Sequence, residues 1–381
     1  MARQSAEWLH RNVVYPHLIS GKAREDREIA HERALNYLDW IDSHEVVRNK
    51  LSEIFTYKDP ILETKVNGIQ FPNPLGVAAG LDKNARVFRA LAAFGFGHVE
   101  VGSITRESYE GNPRPRVFAL PQDKAFINRM GFPGDGVWRS YDKLKEKLVP
   151  RRDRDYVVGV NIGASRPSFE RGSQLEDYVT AMKLILFTEC DYFVLNLSSP
   201  NTSGVRGLQE PQILDQLLSM SLRATRLVKK PLLIKISPDV PNEQLDGILD
   251  VAMRRQAQGI IVTNTSTNPD LRSQLKSDHR EETGGISGRP LTTRALEMSR
   301  YIYTHTEGKL PIIRAGGVMD VMDYWEAISY GGADLVQVYS ATVDQTTSTP
   351  NLAYNFNKGL ATLMRSRGIK SIQELKGSNV R

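Results

Sequence analysis

From residue 58 onward, short apolar runs recur along the chain, each followed by a longer amphipathic stretch. The runs are 74–79, 98–102, 156–161, 192–197, 232–236, 259–262, 311–314 and 334–338. They alternate poorly between apolar and polar positions, as strands buried on both faces do. The stretches between them, for example 211–228, 242–255 and 292–304, carry the spacing of amphipathic helices. Eight strands alternating with helices predict an α/β fold, a (β/α)8 TIM barrel. An open doubly wound sheet is the alternative. Its dinucleotide-binding form is disfavoured, because no GxGxxG follows the first strand.

Residues 1–57 have a different pattern and predict a small helical domain beside a barrel of 58–381. Trp8, Leu9, Val13 and Tyr15 mark a short amphipathic segment, ended by Pro16. Ala30, Ala34, Leu38 and Ile41 mark one face of a second helix, and Val47, Leu51 and Ile54 a third. Lys22, Arg24 and Arg27 lie between the first two. Such a helical pair either lies on a membrane surface or caps the main domain. Two insertions interrupt the barrel rhythm. In 103–133, the VFAL and AFIN segments predict a hairpin; 267–290 reads as a long polar loop of the kind that serves as a lid or ligand-binding element.

Composition narrows the classes. The 381 residues are 40% hydrophobic and 25% charged, the balance of a soluble globular chain. No apolar run approaches the roughly 18 residues of a membrane-spanning helix, and the start lacks the apolar core of a secretory signal. Cys190 is the only cysteine, which excludes an internal disulfide framework and fits a reducing compartment. The net charge of +6 is scattered without a dense basic run. That argues against nucleic acid and fits an anionic substrate or an anionic lipid surface. The seven histidines show no ligand spacing, so no metal site is expected, and most read as surface or capping residues. A GxSxG elbow is absent.

Barrel active sites sit at the C-terminal strand ends. Here those ends carry Gly80 and Lys83, Ser103, Asn161, Asn196 and Ser199, Lys235, Thr263 with Asn264 and Thr265, Gly316 and Gly317, and Tyr339 with Ser340. The glycines after strand seven, together with Gly288, fit a phosphate site or simple tight turns. Lys83 and Lys235 imply either an anionic ligand or buried ion pairs with Asp82 or Asp239. Asn128, Asn161, Asn196, Asn201 and Asn264 are amides suited to a flat heterocycle with several C=O and N–H edges.

The chain resembles the class 2, quinone-linked dihydroorotate dehydrogenases. The motifs that carry this, in order, are NPLGVAAGLDKN, GHVEVGSIT, GNPRPRVFALP, INRMGF, GVNIG, NLSSPNTSGVRGLQ, IKISPD, IVTNTS, GGISGRPL and GADLVQVYSA. The resemblance runs from about residue 25 to beyond 360. It implies a barrel holding FMN, dihydroorotate as substrate, orotate as product in UMP biosynthesis, and a membrane quinone as acceptor. It further implies that Ala79, Gly80, Leu81, Asp82, Lys83, Ser103, Asn161, Asn196, Lys235, Thr263, Gly288, Gly317, Tyr339 and Ser340 bind FMN, with its phosphate at the last three of these and Gly288.

Lys83, Asn128, Arg129, Met130, Gly131, Phe132, Asn196, Asn201, Asn264 and Thr265 would hold dihydroorotate. Ser199 would take the C5 proton as hydride leaves C6 for the flavin, with Lys83 supplying positive charge. Class 1 relatives have cysteine at the Ser199 position, so class 2 is favoured. The N-terminal helices would form the quinone tunnel, with His31 at a tunnel position and Tyr339 near its inner end. They would dock on the cytoplasmic face of a bacterial inner membrane, or on the mitochondrial inner membrane for a shortened eukaryotic chain. The chain departs from the family pattern at Ala119, where arginine is usual in the tunnel, and at Pro133, where asparagine is usual. A related pyrimidine or dihydrouridine reductase and a non-catalytic barrel scaffold are the competing readings.

Overall fold

The computed structural model describes residues 2–344 and 348–380. After a short antiparallel hairpin, β1 (Thr64–Val66) and β2 (Ile69–Phe71), comes the first barrel strand, β3 (Leu75–Val77), and then β4 (His98–Ile104). An excursion, β5 (Val117–Leu120) and β6 (Ala125–Asn128), precedes β7 (Val157–Ile162), β8 (Tyr192–Asn196), β9 (Leu232–Ile236) and β10 (Ile260–Val262). A second excursion, β11 (Gly285–Gly288), precedes β12 (Ile312–Ala315) and β13 (Leu335–Val338). β3, β4, β7–β10, β12 and β13 form a closed parallel barrel, sealed where Val336 of β13 registers with Leu75 of β3.

Every position of these eight strands is buried except Ser103. Helices cover the outside and side chains fill the inside, which is why neither face shows a polar alternation. All eight predicted strands lie within two residues of the observed ones. The helix Pro211–Leu227 turns Leu214, Leu217, Leu218 and Leu222 inward, each contributing roughly 2 kcal/mol by burial.

The β1–β2 hairpin plugs the N-terminal end of the barrel, where Val66 and Phe71 pack with Val157, Tyr192, Leu233 and Ile313. His98 lies in this plug, edge-on to Phe71 at 5.6 Å, with both ring nitrogens buried and unpartnered. It is therefore a core residue, not a surface or capping one. Gly76 makes room for it, since a Cβ there would sit 2.3 Å from the imidazole.

The N-terminal helices follow the predicted order with one correction. Pro16 does not end the first segment. α1 (Ala2–Leu9) runs through a π-helical stretch, His10–Val14, into α2 (Tyr15–Leu18). The wider i→i+5 winding just before the proline accommodates its missing N–H and its ring. α3 (Arg27–Ser43) and α4 (Glu45–Phe55) then pack on the barrel helix Phe88–Ala93. Asp42 fastens them: it accepts from the Arg89 and Ala90 amides at 3.0 and 3.1 Å, satisfying orphan donors of that helix start. Its other oxygen takes the Arg89 guanidinium at 2.8 Å.

The first insertion forms the expected hairpin, with Phe118 opposite Ile127. The second is not a bare loop. It contains a helix, Pro269–Ser273, and then β11, which pairs antiparallel with β6 and extends the hairpin to three strands. A Cβ at Gly285 would lie 2.0 Å from Thr265 Oγ1, so glycine lets this strand press against the barrel mouth.

Candidate active site

The barrel mouth, the three-stranded sheet, the π-helical stretch His10–Val14, α2 and α3 enclose a cavity of about 410 Å³. Val14, Leu18, Ile19, Ala34 and Leu38 line it on the helical side; lysines, amides and glycines line it on the barrel side.

A chain of side-chain hydrogen bonds crosses the barrel side. Glu100, fully buried in β4, accepts from Asn161 Nδ2 (2.7 Å) and Gln337 Nε2 (2.8 Å). Asn161 Oδ1 accepts from Ser103 Oγ, and Ser103 Oγ accepts from Asn196 Nδ2 at 2.8 Å. Asn196 Oδ1 takes the Ser198 hydroxyl at 2.7 Å, and Ser198 Oγ takes Asn264 Nδ2 at 3.0 Å. Five barrel strands or their ends (β4, β7, β8, β10 and β13) are thereby tied together, and each amide has a fixed orientation.

Among the described residues, neither lysine has the carboxylate partner that ion pairing would require. Asp239 accepts from the Thr267 amide (2.7 Å) and pairs with Arg206 (2.9 Å). Asp82 accepts from the Arg86 and Val87 amides, both at 2.8 Å. Lys235 is 5% exposed and donates to no acceptor among the described residues; burial lowers its pKa, and the Glu100 charge opposes that. Lys83 lies 3.3 Å from His31 Nε2. Burial lowers the pKa of Lys83, opposed by Glu28 and Glu32. Burial and then the Lys83 charge hold His31 well below the usual imidazole range. His31 is thus neutral, and its Nε2 accepts from the ammonium.

Ser199, 6% exposed, follows β8 and lines the cavity, its Oγ accepting from the Asn201 amide at 3.3 Å. Asn201 Nδ2 donates to Asn128 Oδ1 at 3.2 Å, linking this loop to the hairpin. The Thr202 hydroxyl on the same turn is buried and unpartnered.

At the β12 and β13 ends the backbone forms a cradle. A Cβ on Gly317 (φ +74) would meet the Thr292 amide at 2.4 Å, and one on Gly288 (φ +90) the Lys124 carbonyl at 2.4 Å. The amides of Gly317 and Val318 donate to nothing among the described residues. Arg314, fully buried, lies behind them, with Nη1 on Gly316 O (2.6 Å) and Nη2 on Thr292 O (2.7 Å). Burial lowers its pKa to about 10, so it remains a cation at neutral pH. Free amides over a buried cation fit a phosphate. Burial pushes the neighbouring Tyr339 up to about 12, which keeps its phenol neutral. A flat heterocycle bearing a phosphate therefore fits: the cradle takes the anion, and lysines and oriented amides take the ring.

All predicted site residues line this cavity except three. Asp82 turns away to cap the next turn. Asn161 stands one layer behind, orienting Ser103. Arg129 points outward to Glu282 (2.7 Å) and the Pro115 carbonyl (2.9 Å). Sequence reading missed Glu100, Gln337 and Arg314, whose signal was a lone polar residue inside an apolar strand. Ala119 and Pro133 both line the cavity. Among the described residues, no cluster of three or more metal-ligating groups occurs, and no helix is long and apolar enough to cross a membrane.

The family model for dihydroorotate dehydrogenase matches residues 61–363. Dihydroorotate dehydrogenase (quinone) of Gloeobacter violaceus is 41% identical over 355 residues, spanning 93% of this chain and 96% of its own. The protein of the same description from Thermus thermophilus is 41% identical over 351 residues, spanning 92% and 97%. The crystal structure of DHODH from Eimeria tenella in complex with ferulenol matches with a TM-score of 0.79 at 32% identity, covering 92% of this chain and 96% of that one. In sequence and in barrel alike, the chain belongs to the dihydroorotate dehydrogenase family of flavin-dependent oxidoreductases.

Proposed function

We propose that this chain oxidises (S)-dihydroorotate to orotate in pyrimidine biosynthesis and passes the electrons through FMN to a membrane quinone. The observation that carries this reading is the cavity with two kinds of wall: amides and lysines on one side, aliphatic helix faces on the other. A polar heterocycle and an apolar acceptor each find a matching surface.

FMN, when bound, supplies the two-electron acceptor between the substrates. Gly288, Gly317, Tyr339 and Ser340 hold its phosphate, and Ala79, Gly80, Leu81, Lys83, Ser103, Asn196, Lys235 and Thr263 its ring and ribityl chain. Asn128, Asn196, Asn201 and Asn264 present donors and acceptors to the substrate's ring amides, with Met130, Gly131, Phe132 and Thr265 closing the pocket. A donor on the carbonyl next to C5 acidifies that proton, and Ser199 Oγ takes it while its own hydroxyl proton passes on to solvent. An isolated serine is a weak base, so this polarisation is a requirement. Lys83 and Lys235 hold positive charge at the site where electrons arrive, and neutral His31 leaves Lys83 its proton.

Residues 1–57 form the membrane and quinone-access domain. Trp8, Leu9, Val13, Tyr37 and Trp40 are exposed on it, an apolar surface suited to an interface. The test is anaerobic titration with dihydroorotate followed at the flavin band, then addition of a soluble quinone or fumarate. Bleaching with recovery by quinone alone is expected. A flavin that stays oxidised overturns the substrate, and recovery by fumarate overturns the acceptor.

A further inference from the structure

Arg27 opens α3 and lines the cavity among aliphatic neighbours. Its Nε and Nη1 are buried and have no hydrogen-bond partner, and it forms no ion pair among the described residues. The carboxylates on either side of it in sequence are committed elsewhere. Glu28 takes Arg114 and Arg116, and Asp26 Oδ1 accepts from the Glu28 amide at 3.0 Å. Tyr15, close enough to feel the Arg27 charge, has its own acceptor in the Val343 carbonyl at 3.4 Å. A buried guanidinium without a partner marks a missing acceptor.

Guanidinium only donates, so the missing group must present oxygen lone pairs. The surrounding walls, including Val14, Leu18 and Ala119, demand that the rest of that molecule be apolar. An aromatic dione on an aliphatic tail meets both conditions. On the hairpin wall, β5 offers it Val117 and Ala119, neither with a side-chain donor.

We propose that Arg27 anchors the electron acceptor, donating hydrogen bonds from α3 to a carbonyl oxygen of the quinone head group. This rests on the reading that a quinone enters through this cavity. Arg27 would then set acceptor affinity without touching dihydroorotate.

The experiment compares wild type, Arg27→Gln, Arg27→Lys and the double variant Arg27→Gln/Ala119→Arg, using a decyl-substituted benzoquinone. Flavin reduction by dihydroorotate is measured separately from reoxidation. Arg27→Gln should leave flavin reduction unchanged and raise KM for the quinone about tenfold or more, the worth of a charged hydrogen bond, at nearly constant kcat. Arg27→Lys should lie between it and wild type. The double variant, returning a guanidinium from the opposite wall, should recover much of the loss. An unchanged KM in Arg27→Gln overturns the proposal, as does a loss of flavin reduction, which would make Arg27 structural. Wild type that bleaches with dihydroorotate but is not reoxidised by this quinone refutes the acceptor reading beneath it; wild type that fails to bleach refutes the substrate.

Discussion

A single carboxylate ties the helical cap to the hairpin over the barrel mouth, and removing it should loosen α3 selectively. Glu28 is 4% exposed and Arg116 3%. Oε2 accepts from Arg116 Nε and Oε1 from Arg116 Nη2, both at 2.7 Å, and Arg114 adds a third bond at 3.1 Å. Breaking a buried pair from one side costs about 3–5 kcal/mol, because the other charge is left behind. Arg116 would keep two carbonyl acceptors, Glu110 O (2.6 Å) and Asn112 O (2.8 Å), which places Glu28→Ala at the lower end, about 3 kcal/mol. In native-state hydrogen exchange, that is about a hundredfold faster opening of α3, with the helix Pro211–Leu227 unchanged.

Replacing both partners by methionine removes both charges and should cost no more than about 1 kcal/mol. The pH dependence has a definite sign. Burial alone would raise the Glu28 pKa, but hydrogen bonds and charge from Arg116 outweigh it and hold it below the ordinary 4.5. The tie is therefore fully present above that ordinary value and is lost as pH falls through the folded one. A Glu28→Ala cost under about 1 kcal/mol, or a double variant equal to the sum of the singles, would refute the reasoning.

Ser199→Ala should retain flavin but slow its reduction by dihydroorotate about 10²- to 10⁴-fold, with reoxidation by quinone unaffected; an unchanged reductive rate removes Ser199 from the mechanism. Gly317→Ala forces a Cβ to within 2.4 Å of the Thr292 amide at a φ of +74, so the purified variant should have lost its flavin. Full flavin content would dismiss the cradle. His98, whose pKa burial lowers to about 3, takes up its proton only in the unfolded chain between that value and 6.5. Its stability contribution is present above pH 6.5 and is lost progressively as pH falls, at up to about 1.4 kcal/mol per unit. His98→Leu should show a correspondingly shallower loss in urea melts from pH 6 to pH 4, and parallel slopes would count against a neutral buried imidazole.

The barrel was legible because burial on both faces leaves uninterrupted apolar runs, and helices cannot mimic their short length. β11 was not. GGISG has no side-chain pattern, and it becomes a strand only because β6 has a free edge and Gly285 can lie against Thr265. The helical path through Pro16 was hidden for a related reason: the compensating π winding has no residue signature. In the site, small polar strand ends were readable from position alone. The layer behind them was not, because Glu100, Gln337 and Arg314 each look like an isolated exception until their partners from other strands are seen. Arg129 was misread because neighbours along a strand point to opposite sides. Asn128 faces the cavity, so the residue beside it turns outward.

The two walls of the cavity also constrain how the proposed reaction can be ordered. A ring rich in carbonyls needs fixed amides, which the Glu100-centred chain supplies by holding Asn196 and Asn264 each in one orientation. An apolar acceptor gains nothing there and would leave those amides unpaired, a cost that excludes it. Dihydroorotate in turn meets mostly aliphatic side chains there, Val14, Leu18 and Leu38, with Arg27 as a lone donor and no set of amides for its ring. The substrates therefore favour different walls of the one cavity. A carrier seated between them, loaded on the lysine side and emptied on the helix side, is the arrangement these walls permit. The expected kinetics are then ping-pong, with each substrate inhibiting the other weakly or not at all.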